Sequence, residues 1–121
     1  MSVGGALVRR LNLERRQHGK SGLVTSRALR LSAQARARHL ARTGILEHGT
    51  WWKVLYRFAG RRFDRVGENI ASGQDDAGEV VGAWMDSPTH RANILGDYTH
   101  VGSGRADRNG RIYWVNHFGK V

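Results

Sequence analysis

The sequence contains no cysteine and a single proline among its 121 residues. Without cysteine the chain can form no disulfide bond and no thiolate metal site, and it has no cysteine nucleophile. This absence fits the cytosol and equally fits bacterial secretion, so the compartment stays open. A hydrophobic content of 40% is typical of a chain that folds around a core. The length favours one domain, residues 1–121, over two.

Long apolar runs are also missing. No stretch approaches the roughly 20 residues that a membrane span requires, so we expect no membrane span. The opening sequence MSVGGALVRRLNLERR lacks the charged-then-apolar order of a signal peptide. Either the protein is not exported or a leader has been removed, and the sequence does not separate these cases.

Acidic residues are scarce in the first half. Residues 1–65 carry 15 Lys and Arg against 3 acidic residues, whereas residues 66–121 carry 5 against 7. One interpretation is an arginine-rich face that attracts an anionic envelope polymer or acidic lipid; the other is a solvated surface in an arginine-biased genome. The basic residues are not interleaved with aromatic ones as in single-strand binders, which disfavours nucleic acid as a partner.

The first half of the chain shows helical patterns. The spacing of Leu7 and Leu11 predicts a helix over residues 6–18. A second helix is predicted from a cap at Thr25 or Ser26 to a stop at Gly44, with an apolar face at spacings of four and three. Residues 45–65 have no clean period and predict a partly helical connection anchored by aromatic side chains.

In the second half, the pattern predicts a short strand at VGENIA and a helix over residues 77–86 that is capped by Asp75 or Asp76. A further helical turn is predicted to begin at Ser87-Pro88. A hairpin is expected to pair residues 101–106 with 111–118 across the turn 107–110, where Asn-Gly is a strong turn signal. The order of elements predicts an α+β fold with helices packed on an antiparallel sheet. Trp84 and Trp114 are expected in the core.

Most catalytic templates are absent from the sequence, including HExxH, Walker and G-x-S-x-G motifs. Two of the six histidines stand in suggestive contexts. His48 follows the second helix, and His90 lies in the first turn of a capped helix. Neutral imidazoles bind divalent metals or move protons, and Glu68 is either a third ligand or a carboxylate that orients one imidazole. Structural roles for Glu68 and His90 remain open at this stage.

Several ordered motifs resemble the CAP domain family (cysteine-rich secretory proteins, antigen 5, pathogenesis-related 1), especially its short cysteine-free bacterial members of the SCP-like type. In chain order they are LNLERRQHG, L-x-x-x-A-x-x-R-x-x-x-L-A-x-x-G-x-x-x-H over residues 29–48, GENIASG, VVGAWMDSPTHRANIL, VGSG and IYWVNHFG. They cover nearly the whole chain. GENIA followed by W-M-x-S-P-x-H-R-x-N-I-L is specific as an ordered pair.

The resemblance implies an α-β-α sandwich, with helices on both sides of a central antiparallel sheet. It also implies a cleft where His48, Glu68 and His90 meet as a site for a divalent metal such as zinc. The sequence departs from the family at one point: a second cleft glutamate that many members carry falls at Ser87. Asp86 and Glu79 are weak candidates to replace it.

The favoured hypothesis is an extracellular or envelope-associated binding protein, whose cleft takes a divalent metal and a small, lipid or peptide ligand. One alternative is a metal-dependent hydrolase of peptide or cell-wall material with Glu68 as general base. The missing second acid and the lack of a nucleophile motif argue against that alternative. Another is a binder of anionic lipid or polymer through the arginine-rich face.

Overall fold

The computed structural model describes residues 3–121, which form five helices and four strands. The helices are α1 (Val3–Gln17), α2 (Arg27–Thr43), α3 (Trp51–Ala59), α4 (Ala77–Met85) and α5 (Pro88–Ile94). The strands are β1 (Val24–Thr25), β2 (Arg65–Ser72), β3 (His100–Arg108) and β4 (Arg111–Lys120). This order confirms the predicted α+β class.

The strands form one sheet in the order β1-β3-β4-β2. Strand β4 pairs antiparallel with both β2 and β3, as predicted. Strand β1 was not predicted, and it adds a two-residue parallel edge in which Val24 lies opposite His100. A strand of two residues is too short to show an alternating pattern, which explains why the sequence does not reveal it.

The hairpin between β3 and β4 is tighter than predicted. Arg108 pairs directly with Arg111, so the expected four-residue turn is wrong and only Asn109 and Gly110 form the loop. Both residues have positive φ, 52° and 84°, as a two-residue type I′ connection requires. The paired strands therefore extend beyond the predicted limits at both ends.

Helices cover the two faces of the sheet, which confirms the predicted sandwich. Helix α2 packs with Ile70, Tyr113 and Val115 on one face. Helices α1, α4 and α5 pack on the other face around Trp114 and Phe118. The alternation of side chains along β4 divides the two cores. Trp84 and Trp114 are both fully buried, as expected.

Helix α2 has the predicted limits. The Oγ atom of Ser26 accepts a hydrogen bond from the backbone N–H of Leu29 at 3.2 Å, and Gly44 ends the helix in a left-handed conformation at φ 71°. Helix α1 begins earlier than predicted, at Val3 rather than at Ala6. None of the helices among residues 3–121 combines the length and apolar character that a bilayer crossing requires.

Two glycines bring α2 unusually close to the sheet. A Cβ atom on Gly102 would lie 2.0 Å from the backbone nitrogen of Arg30, and one on Gly104 would lie 2.5 Å from that of Gln34. These distances leave no room for any side chain. The close approach fixes the height of α2 above β3 and β4, and so places the inward side chains of α2 against Glu68 of β2.

Candidate functional site

Glu68 lies on β2 directly opposite His117 of β4, on the face of the sheet that α2 covers. Its side chain is 0% exposed. An ionised carboxylate at such a position is costly unless it is paired and hydrogen-bonded. The surrounding side chains supply those partners from three different elements.

Arg36 of α2 is the main partner of Glu68. Its Nε donates to Oε2 at 3.0 Å and its Nη2 donates to Oε1 at 3.2 Å, which makes a two-pronged ion pair. The same Nη2 also donates to the backbone carbonyls of Glu47 and His48, each at 2.8 Å. Arg36 therefore ties the connection after α2 to the buried carboxylate and sets the position of His48.

His117 is the second buried partner. Its Nε2 donates to Glu68 Oε2 at 2.8 Å, and its Nδ1 lies 2.6 Å from the hydroxyl of Ser32. Burial lowers the pKa of the His117 imidazole, and the charge of Arg36 adds to this effect, although the bond to Glu68 opposes it. His117 is therefore neutral at pH 7. Its single proton lies on Nε2, and its Nδ1 shares the proton of the Ser32 hydroxyl with the carbonyl of Leu29, which lies 3.0 Å from that hydroxyl.

His48 completes the set of partners. Its Nδ1 donates to Glu68 Oε1 at 3.0 Å, while half of its side chain is exposed. Each carboxylate oxygen then accepts two hydrogen bonds, which is its capacity. Burial raises the pKa of the Glu68 carboxyl, but hydrogen bonds from His117 and Arg36, with their charges, outweigh burial and leave that pKa below its ordinary value. Glu68 is ionised, and all the acceptor positions of its two oxygens are filled.

His90 reaches the same region from α5. Its Nδ1 lies 2.8 Å from the hydroxyl of Ser87, the N-cap residue, which makes no capping bond to the helix. Its carbonyl accepts from the side chain of Asn69 at 3.1 Å, which anchors the first turn of α5 to β2. Burial, and after it the charge of His48, lowers the pKa of the His90 imidazole. The two imidazoles are thus electrostatic neighbours.

The structure brings the three predicted residues to one region in unequal ways. Glu68 bonds directly to His48, whereas no hydrogen bond joins Glu68 to His90 among the described residues. Within residues 3–121, no group of three or more His, Cys, Asp or Glu side chains is arranged to hold a metal ion. The Nε2 atoms of His48 and His90 make no hydrogen bond in that part of the chain, whereas both Nδ1 atoms are engaged.

Sequence reasoning gave no role in the site to Arg36, His117 or Ser32. Arg36 carries a usable signal, because it lies within the apolar stripe of α2 beside Ala33 and Ala37, where a charge requires a buried partner. His117 follows Tyr113 and Val115 at the inward positions of β4, and that alternation could have placed it in the core.

The aromatic residues near the site also have definite places. Trp51, at the start of α3, packs on the His117 ring with centroids 5.8 Å apart. Trp52 meets Trp51 edge to face and is 42% exposed. Trp51 therefore closes the buried end of the cluster, while Trp52 lies at the surface beside it.

Comparisons with known proteins agree with this architecture. The chain is 35% identical over 115 residues to the uncharacterized protein YkwD of Bacillus subtilis (strain 168), an alignment that takes in 90% of this chain and 44% of YkwD. The chain thus spans less than half the length of that curated relative.

Two solved bacterial structures share the fold. An extracellular protein containing an SCP domain from Bacillus anthracis has a TM-score of 0.89 at 22% identity, covering 98% of this chain and 40% of that protein. An outer surface protein from Borrelia burgdorferi has a TM-score of 0.88 at 21% identity, covering 99% of this chain and 96% of that protein. The family model described as "CAP: Cysteine-rich secretory protein family" matches residues 8–118. The chain belongs to the CAP family, as the motifs of its sequence predict.

Proposed function

We propose that this protein is a secreted or envelope-associated CAP-domain protein whose cleft binds a divalent cation through Nε2 of His48 and Nε2 of His90. The observation that carries the proposal is the pairing of each Nδ1 with an oxygen, Glu68 Oε1 for His48 and Ser87 Oγ for His90. Each bond fixes the orientation of its ring and leaves the lone pair of Nε2 available to coordinate a metal.

Glu68 acts here as the carboxylate that orients His48, because all of its acceptor positions are filled. Such a carboxylate–histidine pair is the usual support behind a metal-bound imidazole. Ser87 does the same for His90, so the residue at the position of the missing glutamate has a role of its own. Two imidazoles suit zinc and other late first-row cations.

A site with two protein ligands leaves coordination positions for water and for an incoming donor group. A bound cation would supply a Lewis-acidic attachment point for a carboxylate, phosphate or carbonyl oxygen of a ligand. Open coordination positions would let a small or extended ligand bind to the cation, whereas a closed set of four protein ligands would not.

One similar structure supports metal binding in this fold. It is described as manganese-bound Ac-ASP-7, with a TM-score of 0.64 at 16% identity, covering 96% of this chain and 67% of that chain. The extracellular and outer-surface descriptions of the bacterial structures support the proposed location.

The hydrolase alternative receives less support from the geometry. A general base needs a pKa near the working pH and a free lone pair. The lowered pKa of Glu68 and its four hydrogen bonds meet neither condition. Glu68 is better suited to hold the site together than to accept a proton from a bound water.

Calorimetric titration of the metal-free protein with zinc chloride at neutral pH tests the proposal. We expect one zinc per chain, and we expect the His48→Ala and His90→Ala variants to lose most of the binding heat, because each removes a ligand. Ser87→Ala should weaken zinc binding by roughly tenfold or more, because His90 loses its orienting partner.

His18→Ala is the matched control, since His18 is exposed and its side chain contacts only the backbone carbonyl of Glu14 and the guanidinium of Arg91 among the described hydrogen bonds. It should bind zinc like the parent. Zinc binding that survives in the His48→Ala/His90→Ala double variant would contradict the proposal that these two histidines bind the cation.

A further inference from the structure

A second concave surface lies between α2 and α3, on the solvent side of the Glu68 cluster. It is a groove of about 660 Å³. We call it the basic groove. Its ionisable lining residues are Arg36, Arg38, His39, Arg42, Glu47 and Arg57. Arg36 lines this groove and also holds Glu68, so the groove borders the Glu68 cluster.

The outer arginines of the basic groove have no acidic partner in the described part of the chain. Arg38, Arg42 and Arg57 are all exposed, and within residues 3–121 none of them forms a salt bridge with a carboxylate. Arg42 is near His39 Nδ1, at 3.4 Å, which is a contact between two basic groups. Glu47 is the only acid among the described lining residues, and Glu68 offsets Arg36, so the three outer arginines leave the groove with a surplus of positive charge.

The composition of this surface suits a particular ligand chemistry. Guanidinium groups present paired donors that match phosphate oxygens in a two-pronged geometry, and they bind phosphate when they converge from facing elements. Here two of the arginines come from α2 and the third comes from α3. A concave surface with cations on both walls concentrates the potential inside it.

We propose that the basic groove binds a soluble anionic polymer through successive phosphate groups, with Arg38 and Arg42 on one wall and Arg57 on the other. At about 660 Å³ the groove has room for more than one phosphate group, and a chain that leaves it over Arg36 passes the Glu68 cluster. The site is independent of any cation at His48 and His90, because none of the three arginines contacts those side chains in the described hydrogen bonds.

The test uses inorganic tripolyphosphate as the probe and the full chain in excess chelator, so that metal binding plays no part. We expect saturable binding at low salt that weakens steeply as salt is added. The Arg38→Gln/Arg42→Gln/Arg57→Gln variant should bind at least about tenfold more weakly, because it loses three charge-assisted contacts.

The matched control is Arg9→Gln/Arg16→Gln/Arg62→Gln, which removes the same charge at exposed positions outside the groove. It should keep the parent affinity within about threefold, and thermal unfolding should show both variants folded, since surface substitutions have small effects. An Arg→Lys triple variant of the groove should fall between parent and Gln variant, because lysine keeps the charge but not the fork geometry.

Two results would overturn the proposal. One is an equal loss of affinity in the groove and control variants, which would mean diffuse attraction by net charge. The other is a lack of tripolyphosphate binding at low salt, including the case in which phosphatidylglycerol vesicles bind and the soluble probe does not. Binding of the probe that is confined to the groove arginines would support it.

Discussion

At the scale of single residues, the molecule is organised around one buried carboxylate. Glu68 holds an arginine from α2, a histidine from β4 and a histidine from the connection after α2. The buried charges of Glu68 and Arg36 compensate each other, and because burial keeps His117 neutral, these three buried side chains carry no net charge. The exposed edge of the cluster is His48, whose side chain reaches solvent far more than those of Arg36 and His117.

Loss of Arg36 should be costly, because it leaves the Glu68 carboxylate buried without its counter-charge. We expect Arg36→Met to lower the free energy of unfolding by about 3–5 kcal/mol, measured by urea denaturation. Arg38→Met, two residues along on the exposed side of the same helix, should change it by no more than about 0.5 kcal/mol. Equal effects of the two substitutions would contradict the assignment of Arg36 as the structural partner.

The same cluster makes stability depend on pH. The imidazoles of His90 and His117 have lowered pKa values in the folded protein, so the unfolded chain takes up these protons first. The contribution of these two histidines to the free energy of unfolding is therefore fully present above the ordinary histidine pKa of about 6.5, and it is lost as pH drops below that value. The lowered pKa of Glu68 adds a second loss that begins near the ordinary glutamate pKa of about 4.3.

His117→Gln isolates one contribution, since glutamine can still donate to Glu68 but does not titrate. Urea denaturation at several pH values between about 7.5 and 5 should show a smaller loss of stability in this variant than in the parent. His18→Gln, at an exposed position, should keep the parent slope. An unchanged slope in His117→Gln would show that the buried imidazole is not held neutral.

At the scale of elements, the site depends on how closely α2 approaches the sheet. Much of this level was predictable: the caps of α2, the strand at GENIA and the helix that begins at Pro88 follow from local residue chemistry. Other features were not. The sequence does not show why residues 102 and 104 are glycine, because the reason is the backbone of α2, which lies directly against Gly102 and Gly104 in the fold. Their meaning depends on tertiary contact, which a local pattern does not contain.

Gly102→Ala should push α2 away from β3 and lower the free energy of unfolding by about 1–3 kcal/mol or more. Gly82→Ala is the matched control, because a Cβ atom there meets nothing within 4 Å. In the middle of α4, that substitution should raise stability by roughly 0.5–1 kcal/mol. Thermal unfolding of both variants checks the contrast, and a stabilised Gly102→Ala would contradict the close-packing argument.

At the scale of the whole molecule, the excess of basic residues in the first half of the sequence lies on particular helices. The arginine-rich first half supplies α1, α2 and α3, and along the groove between α2 and α3 it places guanidinium groups that form no salt bridge within residues 3–121. The motifs predicted the sandwich and a cleft with His48, Glu68 and His90, of which the structure joins Glu68 directly to His48. They could not show that Arg36 and His117 fill the acceptor positions of Glu68, because those contacts join residues 32 and 49 positions apart in sequence.

The central claim is that two imidazoles, each held at Nδ1, present Nε2 to a divalent cation. Long-range ¹H–¹⁵N NMR spectra of the histidine rings, recorded before and after one equivalent of zinc is added to the metal-free protein, test it most directly. The account predicts that the Nε2 signals of His48 and His90 shift together, while both nitrogens of the buried His117 stay in place. Zinc that leaves His48 and His90 unchanged, or that shifts His117 in their stead, would contradict it.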